Sequence, residues 1–320
     1  MRSYVPPYTI TSKMLHLTTA ISEEMVKLEF NRKQFTGPRL RKASRIKTLA
    51  GTLEIEGNYL GEEKVTAMLE GKRVLGTMKE IAEVEGAIAA YKELEHYRFD
   101  VLKDLLRAHN LMMGGILTTA GSFRKVNVGV GGSEGVSHVA PPFDRVPQLM
   151  DELFDWLKKS DEHLLIKSCV FHYEFEFIHP FSDGNGRIGR LWQSVILYHY
   201  KDLFAAIPTE SIVRDHQEAY YQALEESGSV GESTPFVEFM LEVILESIQS
   251  SVKSSVKSSV NTEERILAFL QQNPTSTITK LSEVLGLTTR AIEKQIASLK
   301  ALGRLQRIGS ARKGHWEVLD

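Results

Sequence analysis

Hydrophobic residues return at intervals of three and four through most of this chain, and the pattern divides it into three zones. In the first, to about residue 107, RLRKASRIKTLAGTLEIEG predicts a helix ending at Gly57, which tolerates the left-handed backbone beyond a helix end. GEEKVTAMLEG predicts a short helix between two glycines. From Met78 to Arg107 one long periodic segment carries Ile81, Val84, Ala87, Ile88 and Tyr91, then Leu94, Leu102 and Leu105. The second zone, 108–246, opens with SFRKVNVGVGGSEGVSHVAPP. Its alternating Val126, Val128 and Val130, followed by glycines, predict a short β-hairpin. Pro147 to Lys159 is amphipathic, whereas Leu164 to Ile178 is apolar nearly all round and predicts a central, buried helix. Helical spacing resumes from Arg187 to Tyr200.

Residues 247–261, SIQSSVKSSVKSSVN, are a serine-rich four-residue repeat. It can extend the preceding helix, but its composition suits an exposed linker better, so a domain boundary is expected there. In the third zone, 262–320, TEERILAFLQQNP, TKLSEVLGL and TTRAIEKQIASLKALG predict three short helices. RLQRIGSARKGHWEVL then predicts two strands joined by a basic loop. Three helices and a β-wing make a winged helix-turn-helix.

Composition adds limits. Of 320 residues, 42% are hydrophobic and 25% charged, ordinary proportions for a globular chain of two or three domains. A net charge of −2 argues against a wholesale polyanion binder. The one cysteine, Cys169, lies in an apolar run and suits a small buried hydrophobe. The N-terminus lacks the layout of a signal peptide and no run reaches membrane-spanning length, so a cytoplasmic protein without membrane contact is expected.

The chemistry concentrates in His179 to Arg190, HPFSDGNGRIGR. A titratable base, an acid suited to a hard cation, a Gly-Asn-Gly turn and two guanidinium groups meet within about three helical turns. A polyphosphate needs metal, backbone N–H donors and fixed positive charge in one place. A lone histidine after an apolar helix is usually structural, but His179 stands four residues before Asp183 and beside the turn. A neutral imidazole suits general-base work at neutral pH. Asp183 can cap the following helix or hold Mg²⁺ against phosphate oxygens, and the metal is the preferred reading. Gly184, Asn185 and Gly186 suit an anion cradle at a helix start. Arg187 and Arg190, three apart, project from neighbouring helix positions. Phe181 is expected to anchor the loop in the core.

These twelve residues resemble the signature of the Fic (filamentation-induced-by-cAMP) family, His-x-Phe-x-Asp/Glu-Gly-Asn-Gly-Arg-x-x-Arg, at every specified position. The resemblance implies a mainly α fold: a Fic-type helical core with a short β-hairpin flap, here followed by the winged helix-turn-helix. It implies transfer of AMP from ATP, with Mg²⁺, to a hydroxyl of a target protein or of the chain itself. His179 becomes the base, and Arg187 and Arg190 the β- and γ-phosphate contacts. The related phage Doc toxins have a lysine where this chain has Gly186 and phosphorylate instead, so Gly186 favours nucleotidyl transfer. Thr52 to Asn58 (TLEIEGN) resembles the family's inhibitory motif, Ser/Thr-x-x-x-Glu-Gly/Asn. That implies Glu56 paired with Arg190, holding ATP out or in a non-productive pose, and in some members aiding removal of AMP.

Hairpin 126–139 takes the place of the family's flap, which docks a target segment by strand addition; a purely structural hairpin is nearly as good a reading. Tyr220 and Tyr221 resemble a pair lining the adenosine pocket, although Gly228 stands where relatives often have asparagine, which leaves base selectivity open. In the winged helix, Thr289, Arg290, Lys294, Arg312 and Lys313 are the residues placed to meet DNA. Nine basic against six acidic residues over 262–320 is a thin footprint, so a dimer or partner module is an equal reading and a homodimer stays open. The rival to the enzyme is a DNA-binding transcriptional regulator whose Fic domain senses ATP. An intact His179 argues against it, because a sensor needs no base.

Overall fold

The computed structural model describes residues 4–30, 32, 37–132, 135–310 and 314–319. Its contacts divide the chain into two units, Met1–Ser251 and Val252–Asp320.

The first unit is helical: α1 (Ser12–Phe30), α2 (Pro38–Ile55), α3 (Gly61–Leu69), α4 (Met78–Lys92) and α5 (Leu102–Met113) precede a hairpin of β1 (Gly129–Gly132) and β2 (Gly135–Val139). Then come α6 (Val146–Lys159), α7 (Leu164–Ile178), α8 (Asn185–Tyr200), α9 (Thr209–Asp215), α10 (Gln217–Val230) and α11 (Thr234–Gln272). Helix α7 buries twelve of its fifteen residues, as its all-round apolar sequence predicts, and α8 packs against it. Phe175 of α7 lies against Phe171 of the same helix and Phe181 of the loop that follows. Cys169 is fully buried, which pushes its thiol up to about 12. Helix α2 starts at Pro38, where a missing N–H costs nothing. It lies so close to α9 that a Cβ on Gly51 would meet the Glu210 carbonyl carbon at 2.8 Å.

Two expectations change. Met78 to Arg107 is not one helix. A capping box between Thr77 and Glu80 starts α4, but the chain turns through Leu94–His96 and α5 begins only at Leu102. Buried Tyr97 folds the turn back by donating to the Ala90 carbonyl at 3.1 Å. The Asp104 carboxylate takes the Arg98 backbone N–H at 2.9 Å. Helix α5 therefore crosses the boundary expected at 107/108. Residues 247–261 lie inside α11 and are helical, and the boundary between the two units, Ser251/Val252, falls within them. No glycine or proline interrupts the segment, and its four-residue repeat is close to the helical period.

The hairpin forms as its sequence predicts. Gly129 pairs with Val139 and Val130 with His138, with an irregularity between Val130 and Gly131. Val126 and Val128 lie before the first strand, and Val126 and Val139 are exposed.

In the second unit, the end of α11, α12 (Ile278–Leu285) and α13 (Thr289–Ala301) enclose Ile266, Leu270, Leu281, Ile292, Ile296 and Leu299. The antiparallel strands β3 (Leu305–Ile308) and β4 (His315–Val318) add Leu305 and Trp316 to that core. Thr277 and Thr288 cap their helices by accepting backbone N–H groups. Thr289, Arg290 and Lys294 are exposed, whereas Arg312 and Lys313 lie outside the described residues. Among the described residues no helix is long and apolar enough to cross a membrane.

Candidate active site

The twelve-residue segment is the turn between α7 and α8. Helix α7 ends on His179, which sits in the left-handed region at φ 50°, a conformation disfavoured for a side-chain-bearing residue. Gly184 follows at φ 84° and opens α8; a Cβ there would strike Met113 Sδ at 2.8 Å, so this position requires glycine.

The loop between them is held from three sides. Asn185 closes it internally: its Oδ1 accepts the Phe181 N–H and its Nδ2 donates to the Phe181 carbonyl, both at 2.9 Å. Only the backbone of Asn185 is left for the cradle expected of it. Phe181 is fully buried and stacks on His109 with ring centroids 3.6 Å apart. His109 Nδ1 accepts the Gly121 N–H at 2.8 Å, so its Nε2–H donates to the Asp183 carbonyl at 3.0 Å. Burial lowers its pKa and keeps it neutral for this task. Arg124 supplies the third hold. Its guanidinium donates to the carbonyls of His179 at 2.8 Å and Ile178 at 3.3 Å, and to those of Val126 and Pro141 at the two ends of the hairpin segment. The hairpin is thereby fastened to the end of α7. No motif marks Arg124 or His109 in the sequence, because each acts on backbone atoms brought near only by folding.

Both arginines of the motif are buried and engaged. Arg190 donates through Nε to Thr52 Oγ1 at 3.1 Å and through Nη2 to the Thr52 carbonyl at 3.2 Å. The same Nη2 lies 2.6 Å from Glu56 Oε1. The structure thus brings Glu56 to Arg190, 134 positions along the chain, and Thr52 of the same short motif joins the contact. Burial works against ionising Glu56, yet Arg190, with Arg187 and His179 behind it, holds its carboxyl below the ordinary range. A Cβ at Gly186 would stand 2.5 Å from that same Oε1. The Glu56 carboxylate therefore rests on the first turn of α8, where the helix end attracts anions.

Arg187 donates to Glu83 Oε1 at 3.3 Å and to Asp183 Oδ1 at 3.1 Å. Glu83 in turn accepts from Asn58 Nδ2 at 2.9 Å, so a carboxylate on α4 ties the Glu56-Gly57-Asn58 turn to the first motif arginine. Asp183 does not cap α8, whose N-cap is Gly184. Its Oδ1 takes the Gly184 N–H at 2.6 Å and its carboxylate is 45% exposed, open to a ligand. No group of three or more His, Cys, Asp or Glu converges among the described residues, so a cation here would draw its other ligands from phosphate and water. The hard carboxylate oxygen beside an anion cradle fits Mg²⁺.

Of the two tyrosines, Tyr220 is 2% exposed and belongs to the core, its hydroxyl 3.1 Å from His172 Nε2 and its ring against Phe236. It has no open ring face for a base to stack on. Tyr221, 48% exposed, is the member of the pair that offers a surface.

A profile of the Fic/DOC family matches residues 98–197, and one described as an HTH domain matches 262–315. A Fic family protein of Desulfovibrio desulfuricans G20 has a crystal structure that superposes with a TM-score of 0.76. It shares 39% identity and covers 99% of this chain and 98% of its own. Proteins called protein adenylyltransferase Fic in Culex quinquefasciatus and Aedes aegypti are each 30% identical over 215 residues, 64% of this chain. The matched region spans only 41% of the length of those two relatives. A Fic-domain signalling protein of Bacteroides thetaiotaomicron shares the fold, with a TM-score of 0.60 at 18% identity over 77% of this chain and 98% of its own.

Proposed function

This chain belongs to the Fic family and carries a helix-turn-helix domain at its C-terminal end, and from that premise we propose that it is a self-inhibited protein adenylyltransferase. The carrying observation is the Glu56 carboxylate on Arg190 and against Gly186, in the anion position of a turn that begins with His179. Names of relatives at 30% identity support the reaction class.

In the proposed reaction, a hydroxyl oxygen of the target protein attacks the α-phosphorus of ATP. One O–P bond forms, the bridging bond to the β-phosphate breaks, and pyrophosphate leaves. The hydroxyl proton passes to His179 Nε2, since Nδ1 faces back towards Glu176. The N-terminal turn of α8 and Arg187 receive the leaving phosphates, and Arg190 receives the γ-phosphate once Glu56 has left it. Asp183 would hold Mg²⁺, which supplies positive charge against the phosphate oxygens. The hairpin, fastened by Arg124, offers an edge to an extended segment of the target, and Tyr221 offers a ring to the nucleoside. Removal of AMP is a further activity within reach of a carboxylate that can orient water, and Glu56 is that carboxylate.

The deciding experiment incubates the wild type and Glu56→Gly with lysate and ATP labelled at the α- or the γ-phosphate. Covalent labelling of protein from the α-position alone supports the proposal. Labelling from the γ-position alone makes the chain a kinase, and none from either makes it a nucleotide-binding protein without turnover.

One observation favours a second role for the C-terminal unit. Thr289, Arg290 and Lys294 stand exposed on α13 of a helix-turn-helix domain, as a DNA contact requires. A gel shift whose affinity falls with salt at about 0.9 log units per phosphate contact supports DNA binding, and loss of the shift in Arg290→Ala assigns it to this helix.

A further inference from the structure

The transfer scheme gives no work to Glu176, three residues before His179 on α7. Its side chain is 12% exposed. Oε2 lies 4.0 Å from His179 Nδ1 and Oε1 lies 3.9 Å from His172 Nε2, so the carboxyl sits between two imidazoles. Room for it comes from the motif itself: a Cβ at Gly189 would stand 2.6 Å from Oε1. The titratable and charged groups facing it are His172 and His179 from its own helix, Arg190 from α8, Glu56 from α2, and Tyr220 and Tyr221 from α10.

The hydrogen bonds decide which neighbour has a proton to offer. His172 is fully buried, which drives its pKa down to about 3 and leaves the ring neutral. Gln193 directs its Nε2 at Cys169 Sγ, so its Oε1 accepts the His172 Nδ1–H at 2.7 Å. His172 Nε2 then carries a lone pair and accepts from the Tyr220 hydroxyl at 3.1 Å. That ring has nothing to donate to Glu176. Arg190 directs Nε and Nη2 at Thr52 and Glu56. Of the two imidazoles flanking Glu176, only His179 keeps a ring N–H to offer it, at Nδ1.

We propose that Glu176 is the positioning residue for His179: its carboxyl accepts the Nδ1–H and keeps the Nε2 lone pair turned to the incoming hydroxyl. This rests on the transferase reading above. At 4.0 Å the two groups are neighbours beyond hydrogen-bond length, and catalytic hydrogen bonds of this kind tighten in the Michaelis complex. His179 stands at the left-handed end of α7, where the helix no longer fixes its ring, so a second hold has a purpose. Burial pushes the Glu176 carboxyl up to about 8, against the pull of Arg190 and with a push from Glu56. Its ionisation is thereby coupled to the pairs around it.

The test uses the full chain carrying Glu56→Gly, with Glu176→Ala and Glu176→Gln added singly. Ring-nitrogen NMR of His179, identified by its disappearance in His179→Ala, reads the tautomer without substrate. The parent is expected to show Nδ1 protonated, and Glu176→Ala a mixture. With Glu176→Ala, kcat should fall about 10- to 100-fold while KM for ATP stays within about twofold. Glu176→Gln keeps an acceptor oxygen and should recover most of kcat. An unchanged tautomer in Glu176→Ala overturns the proposal. So does an equal loss in both variants carried by KM, which marks a merely structural role. If Glu56→Gly alone transfers no AMP, the transferase reading fails, while the ring-nitrogen comparison still decides who holds His179.

Discussion

Glu56 and Arg190 meet at 2.6 Å, and the oxygen that makes the contact also fills the space a side chain at Gly186 would need. One carboxylate therefore occupies both the charge partner and the helix-end site that a phosphate would use. At an effective dielectric near 20, unit charges about 4 Å apart attract by roughly 4 kcal/mol, so under the proposed function Glu56 would compete strongly with an ATP phosphate. Glu56→Gly should raise α-phosphate labelling of protein by at least about 10-fold, since a third of that energy is already a factor of ten. Unchanged labelling removes Glu56 as the brake.

The same substitution carries a stability cost in the absence of nucleotide. Arg190's side chain is 2% exposed but that of Glu56 is 26% exposed, so leaving the arginine without this partner should cost about 1–3 kcal/mol. Thermal melts should place Glu56→Gly below the wild type, and saturating ATP should raise the variant's midpoint more than the wild type's. Equal shifts with ATP mean that the glutamate does not compete with nucleotide.

His179→Ala, added to Glu56→Gly, should lower transfer by about 10²- to 10⁴-fold. Nucleotide affinity, measured by calorimetry, should stay within about threefold, because the imidazole acts on the hydroxyl rather than on the phosphates. A parallel loss of affinity would place His179 in binding instead.

Arg124→Ala removes the bonds to Val126, Pro141, Ile178 and His179 carbonyls that fasten the hairpin. With charged hydrogen bonds each contributing about 1.5–3 kcal/mol, labelling of target proteins should drop by about 10-fold or more. ATP affinity should change little, which separates a docking defect from collapse of the phosphate turn.

Glu174, buried on α7, accepts from Tyr4 at 2.8 Å, and burial raises its carboxyl from 4.5 to about 7. A carboxyl raised in the folded state still holds its proton when the unfolded chain has released it. Stability therefore falls as pH climbs between those two values, by roughly 3 kcal/mol in all, and stays lower above them. Glu174→Gln should stabilise the protein by about that amount at pH 8 and by almost nothing at pH 4, as read from denaturant unfolding. The same gain at both pH values assigns the effect to packing.

The sequence by itself determined the helices with strong periodicity, the hairpin, the winged helix and the turn that gathers His179, Asp183, Arg187 and Arg190. These depend on local spacing: a period near 3.6, glycines where φ is positive, and functional groups packed into twelve consecutive residues. Glu56 was legible too, because a short motif spells it. Tertiary structure decided what spacing cannot carry. The Asn58–Glu83–Arg187 link and the His109 stack join side chains far apart in sequence, and the Arg124 clamp grips backbone carbonyls, none of which a local sequence pattern records. Burial separated the tyrosine pair, sending Tyr220 into the core and leaving Tyr221 at the surface, although adjacent residues on a helix look alike in sequence. Helix also ran through the serine repeat of 247–261, where composition suggested a linker but nothing in the backbone forbade continuation. Local periodicity reports which face is apolar; only the packed chain reports what that face, and each buried charge, has been placed against.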